Sequence, residues 1–241
     1  KGMEKSDLTF QLKKLLIKDF KKANLLTLFE KIEMPLLTVL STMEINGIKV
    51  DSSFLKNLSN EFHNDLKLIE KRIFNLTHSN FNLASPKQLG EILFDKLKIT
   101  DSPKKTKSGQ YSTSEEVLSK LAKDHQVVRE VLEWRSLQKL INTYVDALPK
   151  QINPISNRIH AVFNQAVAAT GRLSSNNPNL QNIPIRSKRG RLIRKAFVCE
   201  DSNYVMLSAD YSQIELRVIA SLSGDPNMIS AFKNNEDIHS S

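Results

Sequence analysis

Apolar residues along this chain recur at helical spacing over positions 1–150 and give way to alternation afterwards. Over residues 1–46, Phe10, Leu15 or Leu16, Phe20 and Leu25 supply one apolar face. Pro35 predicts a break there, because proline removes a backbone donor. Asn46-Gly47 marks a turn, and Asp51 stands where an N-cap should open a long helix. Within that helix Phe62, Leu66, Ile69, Ile73 and Leu76 step by 4, 3, 4 and 3. Two such heptads predict a helix laid along an antiparallel partner. Ser85-Pro86 opens a shorter helix through Leu89, Ile92, Leu93 and Leu97. After a loop over 100–114, Thr113-x-x-Glu116 reads as a capping box into the next helical stretch. The second, longer part of that stretch carries Val127, Val131, Trp134, Leu137, Ile141, Tyr144 and Leu148, and stops at Pro149.

The pattern then changes. Arg158 to Phe163 alternates as a strand, and Thr170 to Ile185 is loop-like, with Gly171, Pro178 and Pro184. Leu192 to Cys199 and Tyr204 to Ala209 read as two strands of a hairpin turning at Glu200-Asp201-Ser202-Asn203. Tyr204 to Ala209 is apolar on both faces, as a central strand should be. Ser212 to Ser223 reads as a helix with Ile214, Val218 and Leu222 on one face. The expected fold class is α+β and mainly helical. A long antiparallel helical arm leads into a partial antiparallel sheet, too short of strands to stand alone.

Composition narrows the function classes. With 241 residues and 40% hydrophobic content, the chain can bury a sizeable core, and disorder is excluded as its dominant state. The single Cys199 excludes an intramolecular disulfide framework and fits a reducing compartment. No apolar run approaches the roughly 18–20 residues that span a bilayer. Lys1-Gly2-Met3-Glu4-Lys5-Ser6-Asp7 lacks the apolar segment of a secretory signal. A soluble, intracellular protein is expected. The net charge of +9 suits nucleic acid, an anionic membrane surface or a lysine-rich proteome. Its distribution argues against the last. Residues 151–200 carry eight basic groups and one acid, whereas residues 201–241 carry two basic groups and six acids.

Four stretches hold candidate chemistry. Asp210 lies between the apolar run and the helix that follows, a position from which a carboxylate can meet a hard cation such as Mg2+ or simply cap the helix. Glu215 either pairs with Arg217 in solvent or turns into a cleft with Asp210. Thr170-Gly171-Arg172-Leu173-Ser174-Ser175, continuing through Asn179-Leu180-Gln181-Asn182, is rich in groups that hydrogen-bond base edges, sugars and phosphates, or is a polar surface loop. The basic run from Arg186 through Lys188 and Arg189 to Lys195 can neutralise phosphates. The loop bearing Lys104, Lys105 and Lys107 is a further candidate for gripping a backbone, or a solvated tip. The five histidines show no metal-ligand spacing, and no glycine-rich phosphate loop or nucleophile elbow occurs. Trp134 and the helix-face aromatics read as core.

Leu207-Ser208-Ala209-Asp210-Tyr211-Ser212-Gln213-Ile214-Glu215-Leu216-Arg217 resembles motif A of the family A DNA polymerases. The stretch Thr170 to Ser175, with Asn177-Pro178-Asn179-Leu180-Gln181-Asn182-Ile183-Pro184, resembles that family's second signature, in matching order and separation. The likeness extends through Ser112 to Leu118, Asn142-Thr143-Tyr144, Glu33 to Leu36 and Asn46 to Asp51, and so covers nearly the whole chain. The resemblance implies three parts. Residues 1–35 would be the last helices of a preceding exonuclease-type domain, 36–150 a helical thumb gripping duplex DNA, and 151–241 the first half of the palm. It also implies roles. Asp210 would be one of two catalytic aspartates holding two Mg2+ ions, with the Tyr211 carbonyl as a further ligand. Gln213, Ile214 and Glu215 would shape the sugar pocket of an incoming deoxynucleoside triphosphate, and Arg172, Asn179 and Gln181 would meet the template–primer duplex.

The departures from the family pattern shape the expectation. The fingers helix and the His-Asp-Glu motif with the second aspartate do not occur in these residues, which run out at Asp237-Ile238-His239-Ser240-Ser241. Part of a DNA-directed DNA polymerase is expected, monomeric and without membrane contact. These residues alone should bind primer–template duplex without catalysis. A non-catalytic nucleic-acid-binding remnant and a structural helical module are the alternatives. Lys- and Asn-rich usage suits an AT-rich genome, in a bacterial cytoplasm at the nucleoid or in an organelle.

Overall fold

The computed structural model describes residues 2–234, so the run from Asp237 to Ser241 lies outside the described residues. The chain forms two compact units, Lys1–Val198 and Cys199–Ser241. The first begins with α1 (Gly2–Lys22), α2 (Leu26–Leu28), a π-turn over Phe29–Glu33, and α3 (Met34–Asn46). Phe20 stacks on Phe29 with ring centroids 5.1 Å apart, while Phe10, Leu15, Leu16 and Leu25 stay exposed. Contrary to expectation, Pro35 does not break the path. It sits in the first turn of α3, where a missing donor is tolerated, and the turn before it widens so that the Met34 N–H bonds the Phe29 carbonyl.

The centre of the first unit is a pair of helices. In α4 (Ser52–Thr77), Asp51 accepts the Phe54 N–H at 2.8 Å as the cap its position predicts. The α4 residues Phe62, Leu66, Ile69 and Ile73 are buried against Val127, Val131, Trp134 and Leu137 of α7 (Gln126–Leu140). Contacts run in opposite senses along the two helices. Arg72 bonds Glu130, Glu70 accepts the Trp134 indole N–H, and Ser59 and His63 meet Asp146 beyond the π-turn Ile141–Val145. The pair is therefore antiparallel, as the heptad spacing predicts. Between them lie α5 (Pro86–Gly90), a π-turn over Glu91–Lys96, and α6 (Glu115–Leu121). The expected capping box is displaced by one residue: Ser114 is the N-cap, and buried Thr113 instead accepts from Arg135 with both its carbonyl and its hydroxyl. Pro149 does not end the helical path outright, because a 3-10 turn over Leu148–Gln151 carries it.

Two small antiparallel sheets sit beside this pair. In the first, β1 (Ile48–Val50) lies between β2 (Arg158–Ile159) and β5 (Phe197–Val198), with Ile48 opposite Ile159 and Val50 opposite Phe197. The second pairs β3 (Val162–Asn164) with β4 (Ser174–Asn176), Phe163 opposite Ser175. Gly47, at φ +60, makes the turn into β1; a side chain there would meet the Ile159 carbonyl and the His160 ring under 3 Å away.

The predicted hairpin of 192–199 with 204–209 is absent. Leu192 lies in α8 (Lys188–Arg194), which opens where Ser187 Oγ accepts the Gly190 N–H at 3.0 Å and which buries Ile193 completely. Capping and burial override the strand-like composition there. Tyr204, Val205, Met206 and Leu207 are exposed and carry no ladder among the described residues, since a strand is stable only when paired. The second unit is instead built on α9 (Ile214–Ser223) and α10 (Pro226–Lys233), joined at Gly224 and Asp225. The Arg217 guanidinium lies 4.6 Å over the Phe232 ring between them.

The Ser59–His63–Asp146 cluster should make the helical pair sensitive to pH. Burial pushes the Asp146 carboxyl up, but hydrogen bonds from Ser59 Oγ at 2.7 Å and His63 at 3.1 Å, with the charges of His63 and Lys150, hold it below its ordinary value. A carboxyl depressed in the folded state adds stability above its unfolded pKa of about 3.9, and loses that increment as pH falls through the lower folded value. Asp146→Asn should therefore lower the urea midpoint at neutral pH, with the gap to wild type closing below about pH 4. Fluorescence of the single Trp134 follows the transition; a gap unchanged down to pH 2.5 would refute the assignment.

Candidate functional site

The candidate groups fall in four places, three in the first unit and one in the second. The lysine loop is a small hairpin. The Thr106 N–H bonds the Gln110 carbonyl and the Ser112 N–H bonds the Lys104 carbonyl, each at 2.8 Å, and Lys105 bridges Tyr111. Gly109, at φ +80, supplies the turn. Lys104, Lys105 and Lys107 are all exposed, so the hairpin carries three cations at its surface.

The stretch 170–184 is more ordered than a plain polar loop. β4 occupies Ser174–Asn176, and the Asn177–Pro178 peptide is cis. Buried Ser175 accepts the Leu180 N–H at 3.1 Å, and the Asn179 side-chain oxygen accepts the Gln181 N–H at 3.1 Å. The Asn179 oxygen is thus spent on the turn, and the residue itself is exposed. Tyr144 Oη donates to the Asn182 carbonyl at 2.5 Å and pins this loop to the helical core. Arg172 and Gln181 are exposed on the same loop.

In the basic run, α8 divides the cations by task. Arg189 donates to Asp65 and Glu133, each at 2.9 Å, while Arg72 bonds Glu130 at 2.8 Å. Burial works against the Arg189 charge, yet these two carboxylates outweigh it and raise its pKa; the bond to Glu130 does the same for Arg72. Arg189 was expected to meet phosphate, but its geometry ties α8 to both α4 and α7. Arg191 and Arg194 turn back to backbone carbonyls of residues 183–186. Arg186 and Lys188 are exposed. Sequence reasoning missed Asp65 and Glu133 as partners, because neither lies near Arg189 in the chain.

In the second unit, Asp210, Tyr211, Gln213, Ile214, Glu215, Leu216 and Ile219 line one shallow hollow of about 450 Å3. Asp210 does not cap α9. The residue before that helix is Gln213, in the left-handed region at φ 51, with no side-chain cap bond. Arg217 donates to the Ser212 carbonyl at 3.0 Å. The Asp210 carboxylate and the Tyr211 carbonyl are hard oxygen donors, the kind Mg2+ takes alongside water and substrate phosphates. Asp210 and the Tyr211 carbonyl thus offer two oxygen donors, while among the described residues no group of three or more His, Cys, Asp or Glu could hold a metal ion.

A family model described as DNA polymerase family A matches residues 52–241. DNA polymerase I of Geobacillus stearothermophilus is 49% identical over 212 residues, covering 88% of this chain and 24% of that protein. DNA polymerase I of Bacillus subtilis is 48% identical over 228 residues, covering 95% of this chain and 26% of that protein. The POL domain of Pol1 from M. smegmatis, in complex with DNA primer-template and dNTP, is similar in structure with a TM-score of 0.86 at 40% identity, over 96% of this chain and 40% of that one. The chain spans about a quarter of the length of these curated relatives.

Proposed function

The chain belongs to DNA polymerase family A, and we propose that it serves as the duplex-gripping arm and part of the catalytic palm of a DNA-directed DNA polymerase. The observation that carries this is the single hollow that gathers Asp210, Tyr211, Gln213, Ile214 and Glu215. The reaction proposed is attack of a primer 3′-OH on the α-phosphate of a deoxynucleoside triphosphate, with pyrophosphate leaving. Divalent ions bound there, two Mg2+ in the complete enzyme, would lower the pKa of the hydroxyl and offset charge on the leaving group. Asp210 would hold them with its carboxylate and Tyr211 with its backbone carbonyl. Glu215, with Gln213 and Ile214, would bound the sugar pocket. These 241 residues alone supply duplex binding rather than catalysis, since the partner aspartate of the family is not among them.

The antiparallel α4–α7 pair supports reading residues 36–150 as a thumb, with 1–35 as helices of a preceding exonuclease-type domain and 151–241 as half of a palm. The protein would work as a monomer at the nucleoid of a bacterial cytoplasm. No helix among the described residues is long and apolar enough to cross a membrane.

Two kinds of DNA contact follow. Lys104, Lys105, Lys107, Arg186 and Lys188 address phosphates, whereas Arg172, Asn179 and Gln181 address minor-groove acceptors that look alike for every base pair. Binding should therefore depend on salt and be indifferent to sequence. Replacing the three loop lysines with alanine should weaken binding to every duplex equally. It should also flatten the log K against log salt slope by up to about 2.7, at roughly 0.9 per phosphate. Fluorescence anisotropy on two unrelated primer–template duplexes measures both; strong preference for one sequence would overturn the reading.

A further inference from the structure

The lysine hairpin poses a physical problem of its own. Residues 104–112 are polar except for Tyr111, and a two-stranded hairpin of this size is marginal in water by itself. Its internal bonds are few: backbone bonds from Thr106 to Gln110, Gly109 to Thr106 and Ser112 to Lys104, a Thr106 hydroxyl bond to the Gln110 carbonyl at 3.2 Å, and a hydroxyl contact between Thr106 and Ser108 at 2.9 Å. A hairpin so weakly held would sample many positions and pay for ordering its lysines each time it met a backbone.

Tyr111 supplies what the hairpin lacks. Its ring packs on Phe94, a residue of the buried core, with centroids 5.1 Å apart. Its hydroxyl donates to the Asp95 carboxylate, a bond that pushes the phenol pKa up. Lys105 Nζ lies 5.3 Å over the other part of this arrangement, the ring centroid itself, so the anchor also directs one of the cations. The approach is possible because residue 90 is glycine. A Cβ there would stand 2.9 Å from the Tyr111 Cβ. We infer that Tyr111, seated on Gly90 and Phe94 and bonded to Asp95, is a positioning residue that fixes the lysine hairpin in advance of DNA binding. The inference rests on the proposal that this hairpin grips duplex DNA; its geometric half does not.

Two measurements separate the halves. In the free 241-residue protein, hydrogen exchange at the Thr106, Gly109 and Ser112 amides reads the anchor directly. Tyr111→Ala should bring these amides to open-loop rates, and Tyr111→Phe, which keeps the ring, should restore most protection. Gly90→Ala, which favours the helix it sits in, should nevertheless loosen the same amides by displacing Tyr111. Protection unchanged in both Tyr111→Ala and Gly90→Ala would overturn the inference. In anisotropy with a fluorescein-labelled primer–template duplex, Tyr111→Ala should bind about three- to tenfold more weakly with an unchanged salt slope, because the lysines remain and only their ordering is lost. Wild-type affinity in Tyr111→Ala, beside a weakened triple-lysine variant, would defeat positioning while sparing the DNA grip. A triple-lysine variant with an unchanged slope would remove the hairpin from the DNA surface and end both.

Discussion

Asp210→Asn in a full-length polymerase bearing this chain is expected to lower primer extension at least about 1,000-fold, the largest functional effect of any single substitution here. The substitution keeps size and shape and removes one negative charge. Asp210 is exposed in its hollow and does not cap α9, so the fold has little stake in it. Under the proposed function its charge serves to hold divalent ions against a triphosphate, and losing a ligand there would forfeit several kcal/mol of charge stabilisation. Duplex affinity measured without nucleotide should stay within about twofold, because the proposed phosphate contacts lie on other residues. The 241 residues by themselves should show no extension, with or without the substitution. Robust extension by the full-length Asp210→Asn protein would remove Asp210 from the chemistry.

Phe62→Ala should cost about 3–5 kcal/mol, whereas Leu207→Ala should change stability by less than about 0.5 kcal/mol in the 241-residue chain. Phe62 is 1% exposed in the core between α4 and α7, and its removal leaves a void that helices locked by heptad packing cannot collapse to fill. Leu207 is 86% exposed, so its side chain has almost no burial to lose. Trp134 sits in the same helical core as Phe62, and its fluorescence in urea reports unfolding of that unit. Far-ultraviolet circular dichroism covers Leu207→Ala, since Trp134 does not lie in its unit. A large loss from Leu207→Ala would mean that residues 204–209 are packed after all.

The helical arm was legible because its signal is local. The 3.5-residue spacing from Phe62 to Ile73 dictates which face is buried, and Asp51 and Ser85 cap their helices through bonds spanning three residues. The motif around Asp210 was legible for the same reason, since one stretch of chain supplies the whole hollow. Local propensity failed where distant partners decide. Ile48 to Val50 becomes a strand only because residues 158–159 and 197–198 flank it, and neither is near in sequence. Leu192 and Ile193 suit a strand, but a Ser187 cap and complete burial of Ile193 make them helical. Thr113 sat in a good capping pattern until Arg135, 22 residues away, claimed both its oxygens. Charge told the least in advance. A sequence counts Arg189 with its basic neighbours, whereas Asp65 and Glu133 turn it from a surface cation into a clamp between three helices. Periodicity and capping act over a few residues and can be read from the chain; pairing, burial and the partner of each charge depend on residues that only the tertiary fold brings within a few ångströms.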